Sequence, residues 1–333
     1  MKIATWNVNS LRARADRVEA FLERHDIDVL AIQETKCRDE NFPWELFERA
    51  GYEVVHNGTS QWNGVAIASR VGLDNVRDHF DGQPGFAKKG DPEIEARAVG
   101  AVCGGVDVWS LYVPNGRGLE NEHMGYKLEW LRVLQEHAAA RLAEDPDTRL
   151  ALAGDWNIAP QDEDVWDIEL FQREGYTHVS PAERAAFHAI EDAGLVDVVR
   201  PRHPGPGVYT YWDYTGLAFP KKKGMRIDFQ LCSPALARTV TDAWIDREER
   251  KGKGASDHLL AGLYHPGPDG GKLTEAAAPT VGRNYHTEGL LLPDGRVLTA
   301  GSDPLFDDEN NTVPGTFEQR VEIYSPPYLF RGP

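Results

Sequence analysis

Six short polar motifs stand at the ends of apolar runs of strand length, and they hold the residues able to do chemistry. Ile3-Ala4-Thr5-Trp6 runs into Asn7, Val29 to Ile32 into Gln33-Glu34-Thr35, and Val108 to Leu111 into Tyr112-Val113-Pro114-Asn115. Leu150 to Ala153 runs into Gly154-Asp155-Trp156-Asn157, while Arg226-Ile227-Asp228 and Ser256-Asp257-His258 open two further strands. If those ends converge on one rim, they line a cleft with carboxylates, amides, a phenol and an imidazole, and with almost no thiol or hydroxyl nucleophile. That inventory suits hydrolysis of a phosphodiester by water. Hard ligands such as Glu34, Asn7 and Asp257 select Mg²⁺ or Mn²⁺ over zinc, with Asp155 and Asn157 completing the candidate metal set, and the ion would act as a Lewis acid on the phosphate. Asp155 can position or deprotonate the attacking water, and His258, oriented by Asp228, can bind the phosphate or carry the proton. Asn157 and Tyr112 can donate to oxygens on which charge develops. Taken singly, Asn7, Glu34 and Gly154-Asp155 read better as a strand-end turn, an exposed charge and an ordinary turn, and Ser256-Asp257-His258 equally well as a turn with a satisfied histidine; their joint occurrence is the signal.

The elements that must position them follow from periodicity. Leu11, Ala15, Val18 and Leu22 recur at helical spacing ahead of the run Val29 to Ile32, so the chain opens strand, helix, strand. Further strands are expected over Gly64 to Ser69, Val99 to Cys103, Val106 to Val113, Leu150 to Ala153, Ile227 to Leu231, Val240 to Ile245 and Leu259 to Tyr264. Helices are expected over Tyr126 to Leu142 and over Pro181 to Ala193, the latter with Ser180 as N-cap, Pro181 at its first position and Glu183 completing a capping box. Strands outnumber helices and several follow one another directly, which predicts a layered α/β architecture with mixed or antiparallel sheets.

With 333 residues, 41% of them hydrophobic, the chain can bury a sizeable core. No apolar run reaches the length of a membrane span and the first residues lack a secretory signal, so the expectation is a cytoplasmic protein with no membrane partner. Cys37, Cys103 and Cys232 are odd in number and widely spaced, which supports neither a disulfide framework nor a thiolate zinc site. A net charge of −17 argues at first sight against nucleic acid. Local clusters weaken that objection: Lys88-Lys89, Lys221-Lys222-Lys223 with Arg226, and Arg250-Lys251 with Lys253 could each meet phosphates.

The ordered motifs Thr5-Trp6-Asn7-Val8-Asn9-Ser10, Gln33-Glu34-Thr35-Lys36, Trp62-Asn63-Gly64, Tyr112-Val113-Pro114-Asn115-Gly116, Gly154-Asp155-Trp156-Asn157, Tyr211-Trp212-Asp213-Tyr214, Arg226-Ile227-Asp228 and Ser256-Asp257-His258 resemble those of the exonuclease III family. The resemblance runs from Met1 to about Tyr264. It implies the four-layer αββα sandwich of DNase I-like proteins, with an extra C-terminal β fragment. It also implies Glu34 as the principal metal carboxylate with Asn7 and Asp257 nearby, Asp155 aligning water, Asn157 donating to the oxyanion, Tyr112 touching phosphate, and Asp228 with His258 as a coupled pair. Asn115, Trp212, Arg97, Lys223 and Arg226 are the expected DNA contacts, Trp212 reading equally well as a core aromatic. The implied activity is that of a monomer on double-stranded DNA: incision 5′ to abasic sites and removal of nucleotides and blocking groups at 3′ ends. Trp156 stands where the family more often has Phe, and Leu259-Leu260 where Ala-Pro often follows.

Domain organisation is expected as 1–264, a Pro/Gly/Ala-rich linker over 265–279, and a distinct segment over 280–333. In that last segment Arg283-Asn284-Tyr285-His286 and Leu290 to Val297 resemble a fragment of a galactose-oxidase-like propeller. It amounts to about one blade, which buries too little surface to stand alone, and a hairpin at best is expected. Three other functional readings compete: a related phosphodiesterase on a non-DNA phosphoester, a DNA-binding protein without catalysis, and a copper oxidase resting on the tail alone.

Overall fold

A computed structural model describes residues 1–213, 217–250, 262–265, 272–275, 288–293, 296–300 and 321–324. The chain divides into two compact units: Met1–Asp213 with Ala218–Arg247, and Tyr214–Leu217 with Glu248–Pro333.

Two sheets form the first unit. One holds β1 (Ile3–Asn7), β2 (Val29–Gln33), β3 (Glu53–Asn57) and β4 (Val65–Ser69) in the order β1-β2-β4-β3, with only β1 and β2 parallel. After β5 (Asp74–Arg77), β6 (Ala98–Cys103), β7 (Val106–Tyr112), β8 (Leu150–Asp155) and β9 (Val196–Asp197) comes a separate two-stranded ribbon, β10 (Tyr211–Trp212) with β11 (Gly224–Met225), and then β12 (Asp228–Cys232). The second sheet runs β5-β6-β7-β8-β12-β9. Its helices and those of the first sheet are α1 (Ala15–His25), α2 (Trp44–Arg49), α3 (Glu122–Glu144), α4 (Ile168–Glu174), α5 (Pro181–Asp192) and α6 (Pro234–Ala237).

Burial on both faces explains why the central strands read as unbroken apolar runs rather than as alternation. Every residue of β2 is buried: Leu30 and Ile32 meet Val18 and Leu22 of α1 and Phe47 of α2, whereas Val29 turns the other way, toward Val99, Val108 and Ala151 of the second sheet. In β7 Val108 joins that inter-sheet layer, while Trp109 and Leu111 face outward under Trp130, Leu131 and Leu134 of α3 and share their cluster with Phe187 and Ile190 of α5. The sequence of layers is therefore helices, sheet, sheet, helices, the αββα sandwich the motifs implied. A buried polar clasp crosses the apolar layer between the sheets: Gln33 donates to Ser110 Oγ (2.9 Å), and Ser110 donates to the Ile32 carbonyl (2.8 Å). All three cysteines are buried free thiols.

The expected strand over Val240 to Ile245 does not form; the segment is irregular, and its carbonyls are taken by side chains instead of a ladder, Val240 by Arg202 (2.6 Å) and Ala243 by His203 (2.6 Å). Within the second unit, β13 (Gly262–His265) pairs antiparallel with β14 (Lys272–Glu275), so the stretch read as a linker contains a strand. There, β15 (Glu288–Leu291), β16 (Val297–Ala300) and β17 (Glu322–Tyr324) form a three-stranded antiparallel sheet, one strand more than the hairpin expected. Among the described residues no helix is long and apolar enough to cross a membrane.

Candidate active site

Register brings the motifs together. Tyr112 and Asp155 are partners across the parallel β7–β8 ladder, Asp155 and Asp228 across the antiparallel β8–β12 ladder, and Asn7 and Gln33 across β1–β2. The parallel strands thus deliver their C-terminal ends to one rim, one pair from each sheet. Gly154 makes the close approach possible: its φ is near extended, and a Cβ there would lie 1.9 Å from the Leu111 carbonyl oxygen. At Gly64, with φ +91°, a Cβ would lie 2.1 Å from Thr35 Oγ1, so the loop that backs Glu34 also needs a glycine.

The Asn7 amide joins the two sheets. Its Nδ2 donates to Glu34 Oε1 (2.8 Å) and to Asp155 Oδ2 (2.8 Å), and its Oδ1 accepts from the Asn9 amide (3.0 Å). Lys36 pairs with Glu34 Oε2 (2.7 Å). The second oxygen of Asp155 accepts from the Asn157 backbone (2.9 Å). Asn157 in turn donates from Nδ2 to the Val113 carbonyl (2.9 Å) and accepts from Asn115 Nδ2 (3.2 Å). Glu34 and Asn157 both hold left-handed backbones, φ +54° and +51°, a conformation that costs a non-glycine residue energy and clusters at functional sites.

Electrostatically the pocket is short of positive charge. Burial first, then the charge of Asp228, raises the Asp155 carboxyl well above its ordinary range against the opposing hydrogen bond from Asn7. Asp228 is pushed up to about 6 by burial, with Glu34 adding to the rise and Thr210 opposing it. Burial, followed by the charges of Glu34 and Asp155, likewise raises the Tyr112 hydroxyl. Carboxylates so crowded and so desolvated are the donor set a hard divalent cation relieves, and a magnesium site needs only one or two of them, with water filling the rest of the shell. Glu34 and Asp155 fit that requirement, while the Asn7 amide turns its Nδ2 to both carboxylates and its Oδ1 to the Asn9 amide.

Of the residues expected at the site, Asn7, Glu34, Tyr112, Asn115, Asp155, Asn157 and Asp228 come together, whereas Asp257 and His258 lie outside the described residues, as do Tyr285 and His286 of the tail. Three expected DNA contacts need correction. Arg226 is 1% exposed and spends its guanidinium on Asp164 Oδ1 (2.6 Å) and Asp197 Oδ2 (2.6 Å), because a charge this deep must be paired. Arg97 is buried too, bound to Glu95 Oε2 (2.6 Å) and stacked 5.0 Å from the centre of the Tyr112 ring, so it braces the tyrosine. Trp212 is 3% exposed, edge-on to Phe219 and clustered with Tyr209 and Ala218, which makes it a core aromatic. Lys223 is exposed, its ammonium 4.4 Å from the centre of the Trp166 ring. Sequence reasoning missed Lys127 and His178, whose roles depend on carbonyls far off in the chain; nothing local marks either.

Known proteins share the family and the fold. The profile described as the endonuclease/exonuclease/phosphatase family matches residues 4–258. Exodeoxyribonuclease III of Haemophilus influenzae is 31% identical over 268 residues, covering 78% of this chain and 97% of the relative. Among solved structures, an AP endonuclease from Archaeoglobus fulgidus superposes with a TM-score of 0.69 at 35% identity, over 75% of this chain and 93% of that one. A 3′-5′ exonuclease from Neisseria meningitidis gives 0.69 at 37% identity, over 76% and 94%.

Proposed function

The chain belongs to the endonuclease/exonuclease/phosphatase family, and from that premise we propose that it is a DNA-repair nuclease, a phosphodiesterase acting on double-stranded DNA at abasic sites and 3′ ends. The observation that carries the reading is the single Asn7 amide shared by Glu34 of one sheet and Asp155 of the other, which brings a carboxylate from each sheet to one point. The names of its relatives, an exodeoxyribonuclease III, an AP endonuclease and a 3′-5′ exonuclease, support the substrate and both modes of cleavage.

Glu34, with Asn7, Asp155, Asn157 and Asp257, would hold Mg²⁺ or Mn²⁺, which when bound supplies Lewis acidity at the phosphate. Asp155, fixed by hydrogen bonds on both oxygens, aligns the attacking water and takes up its proton as the new P–O bond forms. Asn157 and the Tyr112 hydroxyl donate to the phosphoryl oxygens as the P–O ester bond breaks. His258, which the motifs couple with Asp228, would return a proton to the leaving oxygen. Asn115 and Lys223 contact the DNA backbone. The nuclease domain is taken as 1–264, consistent with a family match reaching residue 258, and the protein as a cytoplasmic monomer.

A duplex with one abasic site, incubated with the protein in Mg²⁺ or in EDTA, tests this. Metal-dependent incision on the 5′ side is expected, together with shortening from 3′ ends. Hydrolysis of lipid or inositol phosphoesters with DNA left intact would move the enzyme to another branch of the family.

A further inference from the structure

Lys127 sits in the second turn of α3 with its side chain wholly buried. Its ammonium has three protons and meets three oxygens: Glu183 Oε1 (2.5 Å), the Asn157 carbonyl (2.7 Å) and the Asn115 carbonyl (3.4 Å). Two of those acceptors are main-chain atoms of Asn157 and Asn115, whose side chains are bonded to each other. The third, Glu183, is itself fully engaged, since Oε1 also accepts from the His178 amide (2.9 Å) and Oε2 accepts from the Ser180 hydroxyl (2.6 Å) and amide (3.2 Å). His178 closes the ring by setting Nδ1 on the Asn157 carbonyl (2.5 Å).

We propose that Lys127 is a positioning residue that fixes Asn157 and Asn115 in the geometry in which their side chains meet the phosphate; the proposal rests on the nuclease reading above. Asn157 needs such an anchor. Its left-handed φ of +51° is one an asparagine tolerates among several alternatives, and two donors converge on its carbonyl to select it. Fixing that carbonyl sets the peptide plane that follows Asn157, while Asp155 holds the amide N–H of the plane before it and Asn115 holds the side chain, so the residue is pinned on both sides of its Cα. A lysine–glutamate pair deep in the interior is a poor source of stability, because desolvation offsets the attraction and an apolar pair of similar volume does as well or better. What the ammonium supplies that an apolar side chain cannot is direction for two carbonyls.

Removing Lys127 alone would strand the Glu183 charge, so the test uses paired variants. Lys127→Met with Glu183→Gln keeps the volume and removes both charges. Lys127→Gln with Glu183→Gln does the same but restores a donor for the Asn157 carbonyl. On the abasic-site duplex with Mg²⁺, the Met pair is expected to lose about 100-fold in kcat, the cost typical of a misplaced reacting group, with KM within threefold of the parent. The Gln pair should recover at least tenfold of that loss at an equal thermal midpoint. A Met pair that melts like the parent and keeps kcat within threefold, or a Gln pair no more active than the Met pair, would overturn the proposal. Should the unmodified protein fail to cut DNA, the nuclease reading falls separately. The positional claim is then judged by the side-chain amide NMR signals of Asn157 and Asn115: single and sharp in the parent, broadened or doubled in the Met pair. Unchanged signals would refute it.

Discussion

Asp155 and Asp228 are register partners on neighbouring antiparallel strands, so their carboxylates leave the sheet side by side on one face. Only Asp155 also reaches the opposite sheet, through Asn7. That asymmetry predicts unequal roles. Asp155→Asn places an amide where two donors already point, and cleavage of the abasic duplex should fall by about 100- to 10,000-fold, the range for loss of a general base. Glu34→Gln, in contrast, should raise the Mg²⁺ concentration for half-maximal rate by tenfold or more. Single-turnover rates across a Mg²⁺ titration decide it; an Asp155→Asn enzyme within tenfold of the parent would remove Asp155 from the chemistry.

Gly154 precedes Asp155 in β8, opposite Leu111 of β7. A methyl group there would sit 1.9 Å from a backbone oxygen that has no freedom to retreat, as Leu111 is in the ladder on both sides. Gly154→Ala is expected to cost about 3 kcal/mol or more, by overpacking against main chain. Urea unfolding is the measurement, and a midpoint unchanged from the parent would show that the two strands can separate locally.

How far the sequence foretold this site depends on where each residue's partners lie. Asn7, Glu34, Tyr112, Asp155 and Asp228 were legible because a buried strand is a short apolar run and its end is where polarity returns. The α5 start was legible for a local reason as well: the Ser180–Glu183 capping box is four residues of sequence and forms as read. Half-buried edge strands such as Glu53–Asn57 carried no such run and were missed. Arg226 misled because a cation beside Lys221–Lys223 reads as surface, and only the fold supplies the two aspartates that draw it inside. Lys127 carries no mark at all, since one lysine in a long polar helix is ordinary until Asn115, Asn157 and Glu183 are seen around it.

His123 gives stability a pH dependence away from the carboxylate cluster. Its ring is 2% exposed, and its Nδ1 accepts a hydrogen bond from the Gly116 amide (3.2 Å), a bond only the neutral ring can make. Burial, with the charges of Arg97 and Arg117 adding to it, lowers its pKa from 6.5 to about 4. Between those values the unfolded chain binds a proton the folded one refuses, so stability should fall as pH drops from 6.5 toward 4, by on the order of 3 kcal/mol from this group. In His123→Gln the slope over that window should shrink by one proton. Equal slopes in the two proteins would show that His123 titrates normally.

The clasp between the sheets makes an asymmetric prediction. Ser110→Ala strands the buried Gln33 amide, at a cost of about 1–3 kcal/mol for an unmet donor. Adding Gln33→Leu, with Thr5→Val to remove the hydroxyl that donates to Gln33 Oε1 (3.2 Å), leaves no orphan of the clasp and should return most of that loss. Thermal midpoints of the single and triple variants test it, and a triple variant less stable than Ser110→Ala would mean that the clasp itself holds the sheets.

Arg226 separates burial from recognition. It binds Asp164 and Asp197, and Asp164 is itself 0% exposed, so Arg226→Met leaves acids buried without a full complement of charge. Breaking such a pair from one side costs about 3–5 kcal/mol. DNA affinity per folded molecule should hardly change, nor should its dependence on salt, because no phosphate contact is lost. Lys223→Ala is the counterpart: an exposed cation that meets a phosphate should take about one unit from the slope of log affinity against log salt when removed. Denaturation midpoints and salt-dependent binding to the uncleaved duplex in EDTA read the two effects separately. A well-folded Arg226→Met protein with a native midpoint and a shallower salt slope would put this arginine back on the DNA.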